Sequence, residues 1–101
     1  MTEEMAKFRK LLNDNMVPWH DASEINQFEA PYVPCNTDIY RTHFEWRGYK
    51  WSVINGFGSY GGWNSIDQKN KGLLELMSEA VNGGEPVGYL TADEAIKLVL
   101  G

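Results

Sequence analysis

At 101 residues the chain can bury one modest hydrophobic core but not two. Its 43% hydrophobic and 23% charged residues exclude a disordered polymer, and no run reaches the roughly 18 uninterrupted apolar residues of a membrane span. The net charge of −5 opposes direct contact with nucleic acid, whose phosphates require basic groups, and permits a basic protein as partner.

A first helix is expected over residues 3–14. Thr2 stands at its N-cap, Glu3 and Glu4 suit the positive end of its dipole, and Met5, Phe8, Leu11 and Leu12 form one apolar stripe. Asn13-Asp14-Asn15 ends it. Residues 16–38 carry Pro18, Pro31 and Pro34, which interrupt any long element. They also carry Val17, Trp19, Ile25, Phe28, Tyr32 and Val33, too many apolar groups for a free linker, so an ordered connection with a short strand or helical turn is expected.

Residues 40–63 hold eight of the chain's thirteen aromatics. A β-hairpin is predicted over about 39–55, closed by a two-residue turn at Arg47-Gly48. That register sets Trp46 against Tyr49, Glu45 against Lys50, Phe44 against Trp51 and Thr42 against Val53. It gathers Tyr40, Thr42, Phe44, Trp46, Tyr49, Trp51 and Val53 on one face and Arg41, His43, Glu45, Lys50 and Ser52 on the other. A slip of one residue would invert every side chain.

Gly56, Gly58, Gly61 and Gly62 then form a flexible or tightly turned loop, expected to project outward. Leu73, Leu76, Met77, Ala80 and Val81 recur at helical spacing and predict a second helix over about 71–82, stopped by Asn82-Gly83-Gly84, with Glu75 and Glu79 on its polar side. Residues 86–90 read as a short strand. Thr91-Ala92-Asp93-Glu94 matches a capping box and opens a last helix over 92–100. Grouped rather than alternating elements favour a single α+β domain, a small antiparallel sheet packed against three helices.

Several motifs carry competing chemistry. Gly56-Phe57-Gly58-Ser59-Tyr60-Gly61 fits G-x-G-x-x-G, but a dinucleotide site needs a helix at the third glycine and a βαβ unit around it. The loop remains an alternative small-ligand site, and its Phe57, Tyr60 and Trp63 are the preferred contact anchors for a protein partner. His20, Asp21, His43 and Cys35 lack zinc-site spacing and suit ordinary loop hydrogen bonds. A metal-dependent nuclease would use Asp38 and Glu45 on a divalent ion with Lys50 or Arg47 nearby, although Glu45 and Lys50 equally suit a cross-strand ion pair.

Acids are unevenly placed: nine oppose eight bases in residues 1–71, five oppose one in residues 72–101. Glu75, Glu79, Glu85, Asp93 and Glu94 can form a solvated face, or a patch that imitates phosphate charge before a basic cleft. The lone Cys35 excludes an internal disulfide and suits the reducing cytoplasm. No cofactor is expected, and oligomeric state is not readable.

In size, acidity, the hairpin F-E-W-R-G-Y-K-W-S-V-I-N-G and the segments G-L-L-E-L-M and E-P-V-G-Y-L-T-A-D-E, the chain resembles small acidic proteins of phages and prophages. Some of these inhibit host defence, including anti-CRISPR proteins that occupy nucleic-acid clefts. The resemblance implies a non-enzymatic binding protein whose partner is a basic host protein, such as a CRISPR effector or other nuclease. It carries over no catalytic residue.

Overall fold

The computed structural model describes residues 2–25, 38–56, 58–64, 69–70 and 72–101. Phe57, Cys35, the start of the expected 71–82 helix and residues 26–37 of the proline-rich connection lie outside these. Trp63 is described by its backbone alone.

Among the described residues, two helices, α1 (Glu3–Asp14) and α2 (Ala92–Leu100), accompany seven strands: β1 (His20–Asp21), β2 (Ile39–Trp46), β3 (Tyr49–Gly56), β4 (Trp63–Asn64), β5 (Lys69–Asn70), β6 (Leu74–Ser78) and β7 (Val87–Leu90). Five of them form one antiparallel sheet in the order β1-β2-β3-β6-β7, and β4 pairs with β5 separately. The α+β class stands. Among the described residues there are two helices rather than three.

The predicted hairpin is present in its predicted register, with Trp46 opposite Tyr49 and Thr42 opposite Val53. Arg47 and Gly48 both take positive φ, +57° and +79°, the twist that a tight hairpin turn requires. Thr42, Phe44, Trp51, Val53, Leu74, Leu76 and Leu90 turn to one face, which the helices cover with Met5, Phe8 and Leu12 of α1 and Ala92, Ala95, Ile96 and Val99 of α2. Phe44 stacks on Trp51 at 5.9 Å between ring centres and meets Phe8 at 6.1 Å. Each fully buried side chain of this size contributes roughly 1.5–3 kcal/mol. Tyr49, at the hairpin tip, stays exposed.

The expected 71–82 helix is replaced by β6 and a short 3-10 turn at Asn82–Gly84. The sequence L-L-E-L-M-S supports two periods. Leu73, Leu76 and Met77 suit a helix, whereas Leu74, Leu76 and Ser78 alternate as a strand, and all three of these are buried. The free edge of β3 decides between them: Trp51 to Ile54 take Ser78 to Glu75 as ladder partners. Local propensity yields to tertiary pairing.

Arg9 fastens the other edge. The residue is 8% exposed, its Nε donates to Thr42 Oγ1 at 2.8 Å, and its guanidinium reaches Asp21 at 3.1 Å and the Arg41 carbonyl at 3.2 Å. It also lies 4.8 Å over the Trp19 ring. Serine hydrogen bonds from Ser23 hold the Asp21 carboxyl below its ordinary range, and the Arg9 charge adds to them. One buried cation thus ties α1 to β1 and β2.

Candidate functional site

The glycine segment after β3 does not project freely. The Gly56 N–H donates to Ser59 Oγ at 3.1 Å, and that hydroxyl donates back to the Gly56 carbonyl at 2.8 Å. Leu73 N–H donates to the Gly61 carbonyl and Tyr89 N–H to the Tyr60 carbonyl, both at 3.2 Å, so the loop is laced to the start of β6 and to β7. Gly61 has φ +93°, and a Cβ there would lie 2.9 Å from the Tyr89 backbone. A Cβ on Gly62 would overlap Ser59 Oγ. These glycines permit close packing, and protein atoms occupy the space a phosphate cradle would need. The chain continues into β4 rather than a helix, so the dinucleotide geometry is absent at this loop.

One side chain nevertheless leaves the packed corner. Tyr60 is 57% exposed, and its Cβ rests where a side chain on Gly88 would otherwise stand. Beside it Tyr89 is 65% exposed and takes φ +59°. Positive φ is uncommon for any residue with a Cβ and a strong outlier for a bulky one. A bulge produces it. Leu74 pairs with Leu90 and Leu76 with Val87, so β7 uses one residue more than β6 over this span, and Gly88-Tyr89 bow outward opposite Glu75. Bulges of this kind re-aim a side chain.

Glu75 lies behind the two tyrosines. It is 7% exposed, burial pushes its carboxyl above the ordinary 4.5, and a hydrogen bond from the Tyr60 backbone acts in the opposite sense. It therefore secures the Tyr60 loop rather than facing solvent from a helix. The remaining acids scatter. Glu79 and Glu85 are exposed on the connection beyond the far end of β6, about 13 Å along the strand from Leu74 at roughly 3.3 Å per residue. Asp93 pairs with Lys7 at 2.8 Å, and Glu94 accepts from the Thr91 N–H at 3.0 Å in the capping box. Of the five carboxylates, Glu75 is buried, Asp93 is ion-paired and Glu94 is engaged in the capping box, while Glu79 and Glu85 stay exposed.

The nuclease arrangement fails on distance. Asp38 directly precedes β2 and Glu45 lies seven residues further along it, about 23 Å away in extended chain, so they cannot share an ion. Among the described residues no three His, Cys, Asp or Glu side chains cluster as a metal site. Glu45 and Lys50 oppose each other across the hairpin yet form no ion pair. His20 and His43, forming a register pair, meet edge to face at 5.6 Å, and burial lowers the His43 pKa, aided by Arg41 and His20.

Of the predicted contact residues, the fold brings Tyr60 and Glu75 together, leaves Glu79 and Glu85 exposed on one connection, and engages Asp93 in an ion pair and Glu94 in a helix cap. Tyr89 was missed; its only sequence signal is the preceding glycine in V-G-Y-L. No helix among the described residues is long and apolar enough to cross a membrane. The chain matches no protein-family model, no curated protein and no solved structure.

Proposed function

We propose that the chain is a non-enzymatic binding module that holds a partner protein against the Tyr60–Tyr89 patch. The observation carrying this reading is Tyr89, an aromatic kept at φ +59° while 65% of it faces solvent. Glycine would relieve the backbone there, and burial does not repay the side chain, so an external contact accounts for it. Exposed tyrosines on a rigid base are favourable interface anchors, since little side-chain freedom is lost on binding.

The charge of −5 favours a basic partner. In the form that the likeness to phage and prophage proteins implies, the partner is a basic host defence nuclease in the cytoplasm, and inhibition is steric occlusion of its nucleic-acid site.

Tyr89→Gly separates this from a structural role for the side chain. Relief of the left-handed backbone by about 1 kcal/mol should raise Tm by roughly 4–8 °C in a domain of this size. The same change should speed dissociation of the partner captured by the unaltered protein by about tenfold. A lower Tm with an unchanged dissociation rate would assign Tyr89 to the fold and remove the site.

A further inference from the structure

Asparagine followed by glycine occurs twice in the chain, at Asn55-Gly56 and at Asn82-Gly83. The dipeptide carries a chemistry of its own. A glycine nitrogen, unscreened by any side chain, attacks the carboxamide carbon of the asparagine before it, and the backbone freedom of glycine lets the two atoms meet. The fold treats the two copies in opposite ways.

Asn55 belongs to β3, the middle strand of the five, and is fully buried. It stands opposite Tyr40 in the ladder, and its Nδ2 donates to the Leu73 carbonyl at 2.8 Å. The attacking nitrogen is engaged as well, because the Gly56 N–H donates to Ser59 Oγ at 3.1 Å. Bringing that nitrogen onto Asn55 Cγ requires the strand to leave the sheet.

Asn82 opens the short 3-10 turn between β6 and β7, and both it and Gly83 are exposed. Among the described residues, neither the Asn82 carboxamide nor the Gly83 N–H has a hydrogen-bond partner. The two residues take positive φ, +53° and +64°, a conformation that asparagine tolerates better than most side chains do. Two backbone bonds close the turn, Gly84 N–H to the Val81 carbonyl and Glu85 N–H to the Asn82 carbonyl, both at 3.1 Å. Opening such a turn costs far less than opening the sheet.

We propose that Asn82 is a site of spontaneous modification, converting to aspartate and isoaspartate while the chain stays folded and Asn55 stays intact. The Gly83 nitrogen gives up its proton to solvent and bonds to Asn82 Cγ. The Cγ–Nδ2 bond then breaks, and ammonia leaves with a proton taken from solvent, closing a five-membered imide. Water opens the ring. Cleavage at Cγ gives aspartate; cleavage at the main-chain carbonyl gives isoaspartate, whose backbone runs through Cβ and Cγ and is one atom longer. Either product adds a negative charge to a turn that Glu79 already overhangs, its Oε1 lying 3.3 Å from where a Cβ on Gly84 would stand. The reaction needs only water and stands independently of the tyrosine patch.

The full chain, aged in mildly alkaline buffer with and without denaturant, tests this by mass spectrometry and isoaspartate mapping of its proteolytic fragments. In the folded chain Asn82 should convert at least about a hundredfold faster than Asn55, the difference between local and global opening. In denaturant the two should convert at similar rates. Gly83→Ala, whose added Cβ meets nothing within 4 Å, should slow conversion of Asn82 severalfold by screening the attacking nitrogen. Equal rates at the two sites in the folded chain, or an Asn82 that reacts only in denaturant, would overturn the inference. So would an Asn82 rate that Gly83→Ala leaves unchanged, since attack by this nitrogen would then not be the route.

Discussion

Glu75 joins the sheet to the loop that carries the exposed Tyr60, and its environment makes a prediction about pH. A carboxyl that burial raises above 4.5 binds its proton more tightly in the folded chain than in the unfolded one. Its contribution to stability is therefore fully present below 4.5 and declines as pH rises through the elevated folded value. Glu75→Gln removes the charge and keeps a carbonyl for the Tyr60 N–H. It should raise Tm at pH 7, with the gain disappearing at pH 4; melts at the two pH values that differ by the same amount would contradict the assignment. Such a residue is hard to read in advance. Glutamate at position 75 suits a solvated helix face as well as it suits a covered strand, and only the pairing of Ile54 with Glu75 distinguishes them. Tyr60 was legible because glycines framed it. Tyr89 was not, because its conformation comes from a one-residue mismatch between two strands.

Two threonines occupy N-cap positions, and their bonding differs. Thr91 Oγ1 accepts from the Glu94 N–H at 3.2 Å, and the Glu94 carboxylate accepts from the Thr91 N–H, a reciprocal capping box. Thr2 makes no such bond, and its hydroxyl is buried without a partner. Thr91→Ala should cost about 1 kcal/mol, whereas Thr2→Ala should be neutral or slightly stabilising, since it removes an unsatisfied group. Denaturant unfolding with unchanged slope would measure both, and equal costs would show that the capping geometry does not govern these helices. The ends of α1 and α2 and the hairpin register were all legible, because each rests on contacts within a few residues or on strict alternation. β6 was not, since its identity depends on a distant strand edge. The G-x-G-x-x-G spacing of the glycine segment is uninformative for a similar reason: spacing shows where glycines fall, not which atoms fill the space they leave.

At the scale of the whole molecule, the sheet is bound unevenly. β3 has β2 on one side and β6 on the other, while β1 contributes two residues at an edge and depends on the Arg9 guanidinium. Contact density of this kind separates local from global opening. The Ala22 amide, bonded to the Arg41 carbonyl, should exchange through release of β1 with α1 still docked. Val53, in the central strand, should exchange only on global unfolding. A contact affects an amide's exchange only if the opening that exposes that amide breaks the contact. Arg9→Met keeps the apolar stem and removes bonds lost in both openings, worth roughly 2 kcal/mol, and should speed both amides about thirtyfold. Phe8→Leu disturbs the ring contact with Phe44, which β1 release leaves intact. At about 1 kcal/mol it should speed Val53 about fivefold and leave Ala22 unchanged. If Phe8→Leu accelerates both amides equally, β1 does not open on its own but only with the rest of the sheet.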